Sequence, residues 1–235
     1  MSLDIVMVAY PDMTQLDFTA PFEVFARLPE ARIEVAWKTT KPVRDAAGLK
    51  IVPSAKFSRL ERCDVLFVPG GPGQLALMED AETLAFLRRM AGTARYVTSV
   101  CTGSLILAAA GLLTGYRATC HWMSLDQLAH MGAVPVRERV VVDRNRITGA
   151  GVTSGLDFAL AMAQAIAGEP EARRISLAIE YDPKPPFPGP AEEDPHLVAE
   201  VLARTAAFQQ RRDDVARAVG ARMGNAHLAP GGKPA

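Results

Sequence analysis

The chain has 235 residues, with 26 basic and 26 acidic side chains and a formal net charge of zero. That length suits one sizeable α/β domain with an appendage and is cramped for two full domains, while the charge balance leaves no overall field to recruit nucleic acid, an anionic membrane or an acidic substrate. The three cysteines, Cys63, Cys101 and Cys120, form no C-x-x-C pair and have no histidine at zinc-ligand spacing, which speaks against a disulfide framework and a structural metal.

Residues 3–9 form a nearly continuous apolar run ending at Tyr10-Pro11, as expected of a strand covered on both faces in a parallel sheet. The acid at Asp4 and the lack of a basic leading region read as the first strand of a cytoplasmic protein. The longest apolar runs, such as 105–113, fall short of the ~20 residues that cross a bilayer. Residues 12–17 read as a polar loop that carries Asp17 just beyond the first strand. Thr19 can then cap a helix with Pro21 in its first turn and Phe22, Val24, Phe25 and Leu28 on an apolar face.

Residues 32–38 read as a second strand, and 49–52 as a short extra strand after Gly48. Residues 64–73 are a stronger signal: a buried strand, then a turn containing Gly70, Gly71 and Gly73 whose backbone N–H groups stay accessible. This turn lacks G-x-G-x-x-G spacing and a Lys-Ser/Thr ending, so phosphate or dinucleotide binding is the weaker reading. A helix over 81–90 follows.

Residues 96–113 read as a β-rich run, one cysteine, and an Ala/Leu helix that stops at Gly111. This places Cys101 on a strand-to-helix turn, where the unpaired N–H groups of Thr102, Gly103 and Ser104 favour negative charge and hence a thiolate. A buried, inert cysteine is the competing reading. Residues 117–122 read as a short strand ending at His121, 124–131 as one or two helical turns, and 140–148 as a hairpin around Asp143-Arg144-Asn145. A second glycine-rich turn, 149–155, enters another helix. Residues 171–180 read as helical, 183–195 as a proline-rich irregular stretch, 197–223 as a final helix and 225–235 as a disordered tail. No internal repeat is visible. Alternating strands and helices with short links predict a doubly wound α/β sandwich with a mainly parallel central sheet, binding its ligand outside the carboxyl ends of the strands.

Four ordered segments carry a resemblance: Gln15-Leu-Asp-Phe-Thr-Ala-Pro-Phe-Glu-Val-Phe25, Val68-Pro-Gly-Gly71, Ser99-Val-Cys-Thr-Gly-Ser104 and Thr148-Gly-Ala-Gly-Val-Thr-Ser-Gly-Leu-Asp157. Over residues 5–180 the sequence resembles the ThiJ/PfpI group of the class I glutamine amidotransferase-like superfamily. Within that group Asp17, Cys101-Thr102-Gly103 and His121-Trp122 look most like the isocyanide hydratases. The resemblance implies a flavodoxin-like sandwich over residues 1–182, a homodimer, no cofactor and no metal. Residues 183–235 would then pack on the domain or on a dimer partner. A related branch joins the same domain to a DNA-binding region of two helix-turn-helix units, for which the roughly 40 residues after Pro195 leave no room.

An isocyanide, R–N≡C, accepts a nucleophile and a proton on the same carbon. The resemblance therefore implies that Cys101 attacks that carbon and Asp17 delivers the proton, giving a thioimidate that water converts to an N-substituted formamide. With Cys101 as thiolate, Asp17 should be protonated or share a proton. A loop or capping aspartate is its bland alternative. Thr102 can offer its N–H and hydroxyl near the reacting atom, or merely cap the helix. Gly71, Gly151 and Val152 are candidate backbone donors, or glycines there serve close packing. His121 either completes a Cys-His pair for hydrolase or glyoxal chemistry or makes a buried hydrogen bond beyond the reacting groups. A ligand- or redox-sensing domain without turnover is the non-enzymatic reading. Cys63 and Cys120 read as core or surface thiols. His130, His196 and His227 lie outside every motif and read as solvated, as do the charges of the last helix, whose apolar side would pack against the domain or a partner.

Overall fold

The computed structural model describes residues 2–224. Its sheet begins with β1 (Leu3–Val8), paired parallel along its whole length to β2 (Ala31–Trp37), with Leu3 opposite Ala31 and Val8 opposite Ala36. A small antiparallel hairpin, β3 (Val43–Arg44) with β4 (Lys50–Ile51), precedes β5 (Ala55–Lys56), which pairs with the end of β2. Then come β6 (Val65–Val68) and β7 (Tyr96–Val100), a short parallel pair of β8 (Arg117–Ala118) with β9 (Val134–Pro135), and the hairpin β10 (Val140–Asp143) and β11 (Arg146–Gly149). The seven-stranded sheet runs β10-β11-β7-β6-β1-β2-β5, with only the β10–β11 pairing antiparallel. Between β2 and β6 the chain crosses back over β1. That reversal makes the carboxyl end of β1 and β6 the natural crevice of a doubly wound sheet.

The apolar runs explain which strands lie deepest. All four residues of β6 and Ile5 to Val8 of β1 are buried, because helices cover both faces. On one face α1 (Gln15–Phe25) and α5 (Gly155–Ala167) pack together, with α6 (Glu169–Ala178) beside α5. Phe25, Phe67 and Phe158 interlock there, their ring centroids 5.6 to 6.2 Å apart. Truncating one of these rings would cost about 3–5 kcal/mol. On the other face sit α2 (Gln74–Leu77), α3 (Ala81–Ala91) and α4 (Gly103–Ala109), where Phe86 stacks on Phe57 at 3.8 Å and Phe57 meets Trp37 edge-on. The last helix, α7 (Pro195–Arg222), lies along a 3-10 segment, Trp122–Met131, and against α4. Gly220 permits this approach, since a Cβ there would fall 1.8 Å from the His130 carbonyl oxygen.

Two local expectations need correction. Helix α1 starts at Gln15, with Thr14 in extended conformation before it, so Asp17 stands in the first turn of a helix and not in a loop. Thr19 lies inside the helix and bonds back to the Gln15 carbonyl oxygen at 3.1 Å. The cause is tertiary: the Gly70 carbonyl accepts from Thr14 N–H at 2.9 Å and Gly70 N–H donates to Asp17 at 3.0 Å, which anchors the turn ahead of Pro21. His130 is 7 % exposed and its Nε2 meets Asp213 Oδ1 at 2.8 Å, so it is a packing residue under α7 and not a solvated one. The residues 225–235 expected to form a tail, with His227, lie outside those described.

Candidate active site

Three strand ends build the site. Beyond β1, Tyr10 is fully buried and donates its hydroxyl to the Pro69 carbonyl oxygen at 2.9 Å, tying the first turn to the turn after β6. Helix α1 then delivers Asp17, also fully buried, whose Oδ2 accepts the Gly70 N–H. Its Oδ1 has no partner of ordinary hydrogen-bond geometry among the described residues, and the Cys101 thiol is its neighbour.

Beyond β7, Cys101 adopts φ 53°, a left-handed conformation that costs a non-glycine residue about 1–2 kcal/mol. Its N–H is held by the carbonyl oxygens of Gly149 (3.0 Å) and Ala150 (2.7 Å), so the strained turn is fixed by the neighbouring strand β11. Thr102 follows, its hydroxyl oxygen accepting the Gly71 N–H at 3.0 Å. Gly70 is the keystone of this arrangement. A Cβ on it would lie 2.6 Å from Thr102 N, 2.7 Å from Asp17 Oδ2 and 2.8 Å from Cys101 Cβ, so three groups of the site converge on the space its missing side chain leaves. Gly103 is equally constrained: a Cβ would meet the Val68 carbonyl oxygen at 2.2 Å, which is why α4 can start directly against the end of β6.

Burial governs the ionisation of the pair. It pushes the Asp17 carboxyl up to about 7, against the opposing hydrogen bonds from Cys101 and Gly70. Burial also raises the Cys101 thiol well above its ordinary value, and the Asp17 carboxylate and Cys120 add to the rise, while the Thr102 N–H opposes it. Burial thus works against the helix start, which favours negative charge on the sulfur. With the acid raised to about 7 and the thiol raised as well, the two side chains are coupled through a shared proton.

Cys101 forms the floor of a cavity of about 180 Å³ with Thr14, Gly71 and Thr102. A larger cavity of about 750 Å³ opens at the opposite edge of the sheet beside Leu3, Asp64 and Arg95, far from the thiol. One wall of the smaller cavity is His121, Met123 and Val152. Of the three expected backbone donors, Gly71 is taken, because its N–H already serves Thr102. Gly151 and Val152 have no acceptor for their N–H groups among the described residues, and Val152 lines the cavity. His121 lies beside the cavity without a hydrogen bond to Cys101. Its Nδ1 accepts the Met123 N–H at 3.4 Å, and burial, then the nearby Arg212, lowers its pKa to about 4, so it is a neutral imidazole.

More of the lining comes from α7: Thr205, Phe208, Gln209 and Arg212, spaced i, i+3, i+4 and i+7 on one helix face, with the Thr205 hydroxyl 3.5 Å from Met123 Sδ. Sequence reasoning missed these residues. Only the i, i+3, i+4, i+7 spacing was available as a signal, and in a stretch containing Arg204, Arg211 and Arg217 it looks like any solvated helix.

Comparison with known proteins gives a consistent placement. The model of the DJ-1/PfpI family matches residues 4–165. An isonitrile hydratase of Pseudomonas putida is 47 % identical over 208 residues, covering 88 % of this chain and 91 % of the hydratase. A glutathione-independent glyoxalase, DJR-1.2, of Caenorhabditis elegans is 28 % identical over 57 % of this chain and 72 % of its own length. Among solved structures, a ThiJ/PfpI family protein from Pseudomonas syringae superposes with a TM-score of 0.89 at 46 % identity, covering 92 % of this chain and 91 % of its own.

Proposed function

The chain belongs to the DJ-1/PfpI family, and from that premise we propose that it hydrates isocyanides (isonitriles) to N-substituted formamides, with Cys101 as nucleophile and Asp17 as acid and base. The observation that carries this reading is the buried Asp17 carboxyl beside Cys101, which lines the cavity. The likeness to the Pseudomonas putida isonitrile hydratase supports the choice of substrate.

The chemistry follows from the isocyanide carbon, which takes up a nucleophile and a proton together. As the Cys101 sulfur attacks, the thiol proton passes to Asp17 and from there to that carbon, leaving a thioimidate, R–N=CH–S–Cys. Water then adds its hydroxyl to carbon and a proton to nitrogen. Collapse of the adduct breaks the C–S bond, returns a proton to the Asp17–Cys101 pair and releases R–NH–CHO. The unpaired N–H groups of Gly151 and Val152 suit a negative charge or a water near this carbon. Thr102 holds Gly71, and so keeps the floor in place.

Hydrolase or glyoxal chemistry through a Cys101–His121 pair is less well supported, because no hydrogen bond joins the two side chains and no acid among the described residues orients His121. The test is a direct assay. Wild-type protein should convert a simple alkyl isocyanide to its formamide and Cys101→Ala should not; turnover retained in that variant would sink the mechanism, and turnover of glyoxals alone would sink the substrate.

A further inference from the structure

Arg212 brings into the cavity a charge that the proposed chemistry has not yet used. It is 5 % exposed, and its Nη1 donates to Ser124 Oγ at 2.8 Å and Gln209 Oε1 at 3.1 Å. Its Nε is buried without a partner, and its Nη2 makes no hydrogen bond to the described residues. No carboxylate among the described residues pairs with it, since the adjacent Asp213 is engaged by His130 and Arg217. A buried guanidinium without a counter-charge is costly.

Arg212 shares one cavity with Cys101. That space, about 180 Å³, would hold about six waters at ~30 Å³ each, and it is bounded by both Arg212 and Cys101. Asp17 is not among the residues that line this cavity, so of the pair it is the sulfur that shares the space with the guanidinium. The other titratable groups that face Cys101 are neutral at pH 7. Tyr10, at the end of β1, is pushed well up by burial, Cys120 up to about 12, and His121 down to about 4.

We propose that Arg212 is the counter-charge of the Asp17–Cys101 pair, a positioning residue whose guanidinium draws the pair's negative charge from carboxylate to sulfur and so raises the share of thiolate. The proton moves from Sγ to Asp17 and none is lost, so the pair is armed in the form that the attack on carbon needs. This inference rests on Cys101 being the nucleophile and not on which electrophile it meets.

Alkylation of Cys101 by iodoacetamide, read by mass spectrometry across pH on the full chain, tests it without any isocyanide turnover. Removing an opposite charge roughly 7–10 Å away at an effective dielectric of ~20 shifts a midpoint by about one to two pH units. Arg212→Met is expected to raise the alkylation midpoint by about one unit and to slow the reaction at pH 8 at least about tenfold. Arg212→Lys, which keeps the charge and loses the fork, should recover most of it. A wild-type profile in folded Arg212→Met, or Arg212→Lys behaving like Arg212→Met, would overturn the proposal, because either assigns the residue to packing. Wild-type protein supplies an independent check. A cation in the cavity should make the rate ratio of anionic iodoacetate to neutral iodoacetamide at least that of free cysteine, and a ratio tenfold lower would overturn the proposal even if the variants do not fold.

Discussion

The two glycine-rich turns at the carboxyl edge, after β6 and after β11, look alike in sequence and differ in construction. In the first, the N–H groups of Gly70 and Gly71 are both engaged by side chains, Asp17 and Thr102, and a Cβ on either glycine would fall within 2.8 Å of three other atoms. In the second, Gly151 and Val152 keep their N–H groups free, and the nearest atom to a Cβ on Gly151 is His121 Cδ2 at 3.2 Å. The first turn fixes the acid and the thiol against each other. The second offers donors to whatever enters, and has some room to adjust.

The largest effect is expected where the first turn's charge is removed. Asp17→Asn should lower kcat/KM by about 10²–10⁴-fold, and with it abolish the rise in activity expected of wild-type protein as pH climbs through about 7, where burial has moved the Asp17 carboxyl. The same substitution should stabilise the fold at pH 8. Because the folded pKa lies above the unfolded one, wild-type stability falls as pH rises from about 4 to about 7 and is level beyond, and Asn has no such slope. At about 1.36 kcal/mol per pH unit the gain is on the order of 2–4 kcal/mol, measurable by urea unfolding. A variant as unstable as, or less stable than, wild type at pH 8 would mean that the buried carboxylate is better satisfied than its surroundings indicate.

Gly70→Ala tests the rigidity of the same turn. Shifting Cys101, Asp17 or Thr102 by even part of an ångström should cost about 10²-fold in activity, with about 1–3 kcal/mol of stability lost to overpacking. Gly151→Ala tests the looser turn and should change activity only a few-fold, since the His121 ring edge can give by a few tenths of an ångström. If the two alanine variants were equally impaired, the contrast between the turns would not hold.

The sheet and the thiol turn were legible in the sequence because buried strands and glycine-rich turns leave local marks: the run through Val65–Val68, the Ala/Leu helix after Cys101, and the hairpin around Asn145 all lie where their patterns place them. The start of α1 was not, because contacts with Gly70, over fifty residues away, override the capping preference of Thr19. What opposes a thiolate at Cys101 was hidden for a related reason. A helix start is visible in sequence, whereas the depth of a side chain and the carboxylate placed beside it are properties of the assembled fold. Arg212 was hidden most completely, since one arginine of several on a polar helix carries no mark of which will be enclosed.

The face of α7 that closes the cavity has an evolutionary consequence. Asp17, Cys101 and both glycine turns fall inside the stretch 4–165 that matches the family, whereas Thr205, Phe208, Gln209 and Arg212 fall after it. The stretch common to the family thereby carries the thiol and its acid, and α7 adds lining from outside it: exchange at Thr205 or Phe208 reshapes that part of the cavity while the strained elbow and its acid stay untouched. A library confined to that one helical face is the economical route to new substrates on this scaffold.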